Sequence, residues 1–168
     1  MAKLRLGVFV LAVVLVAGIC LAQGQVKRTP PQEPMKKAHV MISPDQVKWG
    51  PGPPSLPPGA ELAVLSGDPS KAAPFTMRVK FPAGYKVPPH WHPTDENVVV
   101  ISGTMVLGQG DKFDEAAAHE LPAGSFIVMP KQTRHFAMAK AESIVQIYGI
   151  GPFAVTYVNA ADDPRKAK

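Results

Sequence analysis

The sequence predicts an all-β fold in a single domain, a sandwich or a barrel, and three observations carry that expectation. Its apolar segments are short, rich in Val, Ile, Phe and Tyr, and many are separated by Gly, Pro, Asp or Ser. Helical signal is weak, and no repeat recurs at a fixed period. The 168 residues suffice for one domain and are too few for two comfortable ones.

The N-terminal residues 1–22 read as a secretory signal peptide. Lys3 and Arg5 give a positive start, Gly7 to Ala22 form an uncharged and mostly apolar run, and Ala22 and Gly24 are small residues that place cleavage near 22–24. The run is shorter than the ~20 residues that span a bilayer. Ile19 is a bulky residue just before Cys20, where a lipoprotein signal wants a small one. Cleavage removes the only cysteine and leaves a chain without disulfides or Cys ligands, which suits an oxidising compartment. It also takes the net charge from +5 to +3. The mature protein is therefore expected to be periplasmic or secreted, with no membrane contact after cleavage. No basic stripe with interleaved aromatics and no Gly-rich phosphate loop is seen, so nucleic acid is not an expected partner.

Residues 23–37, "QGQVKRTPPQEPMKK", are polar and proline-rich and predict a flexible leader. "WGPGPPSLPPGAE" (49–61) is so dense in proline that neither a helix nor a central strand can run through it, and an ordered strap or long surface loop is expected. Strand candidates follow in order: "ELAVL", "FTMRVKF", "NVVVISG", "TMVLG", "SFIVMP", "HFAMA", "SIVQIYGI" and "FAVTYV". Between the fourth and fifth, "DKFDEAAAHEL" (111–121) has the alanines for one or two helical turns, a short excursion between strands. The domain is taken as 38–160, and 161–168, ending "DDPRKAK", as a disordered tail.

Chemistry concentrates in "GYKVPPHWHPTDENVVVISG" (84–103). Successive strand side chains alternate faces, so His90 and His92 point the same way, and Glu96 shares their parity. Two imidazoles and a carboxylate are sensible ligands for Zn, Fe, Mn, Ni or Cu. Pro88 and Pro89 stiffen the approach to His90, and Trp91, of opposite parity, is expected outside the barrel. "GSFIVMPKQTRHF" (124–136) offers a further histidine, His135, which taken alone is equally well a half-exposed residue at a strand start. Met105, Met129 and Met138 read as core filler, and His39 and His119 as surface histidines. Gln146 and Tyr148 share one face of a late strand, as core positions or as pocket lining. No Ser/His/Asp or Cys/His set can be assembled.

Together these segments make the sequence resemble the cupin superfamily. Gly84, His90, His92, Glu96 and Gly103 meet every position of that family's first motif, and Gly124, Pro130 and His135 match its second. Gln132 stands where the second motif has a glycine, a position that calls for a positive φ, and Ala139 stands where it has an asparagine. The resemblance implies a jelly-roll barrel, the double-stranded β-helix, with His90, His92, Glu96 and His135 converging inside on a divalent transition metal (Fe, Mn, Ni, Cu or Zn). It further implies a metal-dependent enzyme of dioxygenase or isomerase type acting on a small organic substrate, with Glu96 able to act as a base. The alternative is a non-catalytic periplasmic metal- or ligand-binding cupin. Pairing through edge strands into a homodimer is a further expectation.

Overall fold

A computed structural model of the protein describes residues 39–166, and the expected signal peptide and leader lie outside them. The described residues form the strands β1 (Gly50–Pro51), β2 (Glu61–Ser66), β3 (Pro74–Phe81), β4 (Lys86–Trp91), β5 (Glu96–Ser102), β6 (Thr104–Gln109), β7 (His119–Pro122), β8 (Phe126–Met129), β9 (His135–Ala139), β10 (Ser143–Ile150) and β11 (Thr156–Tyr157). Each of the eight expected strand segments contains one of these. The pairings are all antiparallel and build two sheets, one in the order β1-β2-β3-β10-β5-β8 and the other β11-β4-β9-β6-β7. This is a jelly-roll β-barrel, as the sequence predicts.

The core follows from alternation. Along β3 the buried residues are Phe75, Met77, Val79 and Phe81, and along β10 they are Ser143, Val145 and Ile147. All of these but Ser143 join Val98 and Val100 of β5 with Val87, Met105 and Ala139 of the opposite sheet in one buried cluster. The stripe on β5 begins at Glu96, so the parity that buries two valines also turns this carboxylate inward.

Topology then brings the candidate ligands to one place. The chain crosses between sheets from β4 to β5 through His92–Asp95, and again from β8 to β9 through Pro130–Arg134. The two crossings are stitched together: Gln132 N–H donates to His92 O (2.8 Å) and Lys131 N–H to Asp95 Oδ1 (2.8 Å). β4 tolerates Pro88 and Pro89 because its pairing with β9 shifts register between Val87 and His90, where two residues without an N–H would otherwise break the ladder.

The strap is ordered and tied down by two buried tyrosines. Tyr85 Oη donates to Pro57 O, and Tyr157 Oη donates to Ser55 O (2.8 Å). Burial, with Asp163 nearby, pushes the Tyr157 hydroxyl up to about 12, so it stays a donor. Tyr157→Phe is expected to lower stability by ~1–2 kcal/mol, since Ser55 O loses its donor inside the protein. Urea unfolding measures this, and no change would mean that the strap is held by packing alone.

Two expectations are corrected. Residues 160–166 are not a frayed end: they form 3-10 turns at Ala160–Asp162 and Pro164–Lys166. There the Arg165 guanidinium meets buried Asp163 and donates to Val155 O (3.1 Å). Gln146 and Tyr148 belong neither to the core nor to a pocket. They lie half-buried on the outer face, opposite Val145 and Ile147, with Gln146 Oε1 accepting from Arg78 Nε (3.2 Å). The short excursion expected at 111–121 is one 3-10 turn, Glu115–Ala117, capped by Asp114 Oδ1 accepting from Ala116 N–H, before β7 begins at His119. Met105, Met129 and Met138 are buried, Trp91 is half-buried, and His39 and His119 are exposed.

Gln132 adopts φ 64°. Its side chain is exposed, so backbone strain is the main thing its identity changes. A left-handed residue with a Cβ costs ~1–2 kcal/mol, and glycine's extra freedom in the unfolded chain returns ~0.5–1 kcal/mol of that. Gln132→Gly is therefore expected to be neutral or to stabilise by up to ~1 kcal/mol on chemical unfolding, and a clear loss would contradict this account of the turn.

Candidate metal centre

His90, His92 and His135 are all buried, and their ring nitrogens lie within 4.8 Å of one another. Their rings sit 4.2–5.2 Å apart between centroids. The structure thus brings the first-motif pair and the second-motif histidine together, which neither segment could show by itself.

Each ring is oriented by a backbone carbonyl. His90 Nδ1 contacts Pro88 O (2.8 Å), His135 Nδ1 contacts Thr133 O (2.9 Å), and His92 Nδ1 contacts Ala154 O (2.8 Å). A carbonyl only accepts, so each Nδ1 carries the proton and each Nε2 of a neutral ring presents its lone pair. His90 and His135 use the carbonyl two residues upstream, an arrangement local to the turn. His92 reaches across the chain to the Ala154 carbonyl, and Phe153 stacks on its ring (4.3 Å, 20°). Neither Ala154 nor Phe153 is legible as a site residue in the sequence, because a backbone acceptor leaves no residue-type signal.

Glu96, 5 % exposed, is the acid of the set. Its Oε2 lies 3.3 Å from His92 Nε2 and 3.5 Å from His135 Nε2. Burial pushes its carboxyl up, but His92 and His135 outweigh that and hold it well below the usual carboxylate range. Burial likewise works against a charge on His92, and the Glu96 carboxylate overcomes it, raising that imidazole's pKa. His90, farther from compensation, is pushed down to about 3 by burial and by the neighbouring His135 and His92.

Three buried imidazoles therefore converge, with the buried Glu96 carboxylate beside two of them, and His92 Nε2 makes no well-formed hydrogen bond. Such a donor set fits a cation: neutral imidazoles held at Nδ1 plus one carboxylate suit a divalent transition metal. The set opens on an interior cavity of about 180 Å³ whose other walls are almost wholly apolar.

Comparison with solved structures returns the same barrel. A candidate acetylacetone dioxygenase from Methylibium petroleiphilum PM1 is 20% identical, with a TM-score of 0.60 over 79% of this chain and 90% of that one. The polyketide cyclase RemF from Streptomyces resistomycificus is 20% identical, with a TM-score of 0.56 over 79% and 91%. An RmlC-like cupin from Ralstonia eutropha JMP134 is also 20% identical, with a TM-score of 0.56 over 73% and 74%. At this identity the likeness shows the fold. No curated protein matches the chain. The family described as a domain of unknown function, DUF4437, matches residues 41–166, and the chain, a cupin in fold, belongs to that family.

Proposed function

We propose that the protein is an exported, metal-dependent enzyme of dioxygenase or isomerase type that acts on a small organic substrate. The observation that carries the reading is the convergence of three Nδ1-anchored imidazoles and one buried carboxylate on the wall of an interior cavity. His90, His92, Glu96 and His135 would hold the metal, Fe, Mn, Ni, Cu or Zn. When bound it would supply a Lewis acid with coordination positions left for a substrate oxygen.

The chain's own residues do the rest. Carbonyls of Pro88, Thr133 and Ala154 keep the rings in one tautomer and one orientation. The apolar walls keep water from the site, which strengthens every electrostatic interaction inside it. Glu96 is the one carboxylate among the described residues that line the cavity, and so the group placed to accept a proton from a substrate there. The dioxygenase candidate and the cyclase, sharing the barrel, lend support to small-molecule chemistry. Export rests on the N-terminal sequence alone.

Elemental mass spectrometry of the protein, purified without chelator or added metal, tests this. Near-stoichiometric Fe, Mn, Ni or Cu is expected, lost in His135→Ala, and it would direct substrate screens to oxygen-dependent and isomerase chemistry. Zinc without turnover would favour the non-catalytic metal-binding module. No metal in the parent protein would overturn the four-ligand reading.

A further inference from the structure

The cavity beside the candidate ligands is polar at one pole only. Its walls come from both sheets, including Met77, Val98 and Ile147 on one side and Val87, Met105 and Leu107 on the other. Leu56 of the proline strap closes part of it. Among the described lining residues there is no Lys, Arg, Asn, Gln, Thr or Tyr, and beyond the four candidate ligands Ser55 alone carries a polar side chain. A sugar hydroxyl, a carboxylate or a phosphate lying against these walls would give up its hydrogen bonds to water and find no replacement. An apolar ring would gain from the same burial. The cavity volume, about 180 Å³, compares with the ~150 Å³ apolar cavities that take up benzene.

We infer that the pocket selects an uncharged aromatic or alicyclic molecule, about the size of a substituted benzene ring, that presents a phenol or enol oxygen to the His90/His92/Glu96/His135 pole and no polar group elsewhere. The inference deepens the function proposed above and rests on it only for the oxygen end. Selection comes from the absence of partners along the walls, so shape and monopolar character exclude polyols, and exclude acids wherever no ion at the pole can take the carboxylate. The three methionines on the walls, Met77, Met105 and Met129, are flexible and adapt to rings with different substituents.

The test is fluorine NMR on the full protein, with metal content assayed on the same sample, using fluorobenzene, 4-fluorophenol, 4-fluorobenzoate and 2-deoxy-2-fluoroglucose as probes. Fluorobenzene and 4-fluorophenol are expected to bind, and in chelator-treated protein, where no ion can take a carboxylate, the benzoate and the sugar are expected to bind at least about tenfold more weakly than fluorobenzene. The phenol's advantage over fluorobenzene is expected only in metal-containing protein. Fluorobenzene binding to protein that takes up no metal would sink the metal reading and leave the apolar pocket standing. The benzoate or the sugar binding to chelator-treated protein as well as fluorobenzene, or no probe binding at all, would overturn the inference. Leu56→Arg, a change on the strap where the partly buried Leu56 packs against the core, places a cation at the wall and is expected to move the preference at least about tenfold towards 4-fluorobenzoate. An unchanged ranking in a folded variant would overturn the assignment of the cavity as the binding site.

Discussion

His92→Ala is expected to emerge from purification nearly free of metal, with its barrel still folded. The loss in affinity should exceed the roughly 10–100-fold that disturbing an outer partner of a metal ligand causes, because a direct ligand is removed. His92 is the most informative of the four. Its Nε2 is the buried atom without a hydrogen-bond partner, its Nδ1 is held by a carbonyl 62 residues away, and Phe153 packs on its ring. The barrel survives because the buried apolar cluster that joins the two sheets does not include the histidine. Elemental analysis reads the metal, and far-UV circular dichroism reads the fold. Parent-like metal content in a folded His92→Ala would show that the ion, if held at all, is held elsewhere.

The largest effect on stability is expected at Gly103, between β5 and β6. Its φ is 76°, and a Cβ there would run into Ser143 Oγ and Glu142 O and come within 2.8 Å of Ser143 Cα. Ser143 cannot retreat. It is fully buried, its Oγ accepts from Thr104 N–H (3.1 Å), and it donates to Ala141 O (2.9 Å). Gly103→Ala therefore combines overpacking, ~1–3 kcal/mol, with a left-handed residue, ~0–1 kcal/mol after the same unfolded-chain offset as at Gln132, for a loss of ~1–4 kcal/mol. Gly84 is the natural control. It has the same φ, 76°, but nothing lies within 4 Å of where a Cβ would sit. Gly84→Ala is expected to cost only the conformational part, ~0–1 kcal/mol once glycine's extra freedom in the unfolded chain is offset. Urea titration of both variants separates the two effects, and equal losses would rule out the clash at Gly103.

The glycines and histidines carry most of what was legible. Gly84 and Gly103 occupy backbone conformations that residues with a Cβ avoid, and Gln132 sits at φ 64° in a place where a glycine is expected. Strand alternation correctly turned Glu96 inward, because the same period of two buries Val98 and Val100. Where the reading failed, a tertiary contact decided the outcome. Arg165 pins the C-terminal segment onto Asp163 and the Val155 carbonyl, in a stretch whose composition resembles a frayed end. Gln146 and Tyr148 share a parity, but parity alone does not say which of two faces is the inner one, and Val145 and Ile147 took it.

By itself the sequence determined the strand-rich class, the alternation that turns Glu96 inward with Val98 and Val100, and the glycine-dependent turns, all of which are local: they follow from allowed φ/ψ regions and the pleat of individual strands. Only the tertiary structure decided that the two sheet crossings meet, so that His135 joins the other candidate ligands, that Ala154 O orients His92, and that the proline strap, held by Tyr85 and Tyr157, lines the cavity. Those contacts join residues far apart in the chain through backbone carbonyls and packed apolar surfaces, which many residue types provide equally well and which therefore leave no mark on the sequence.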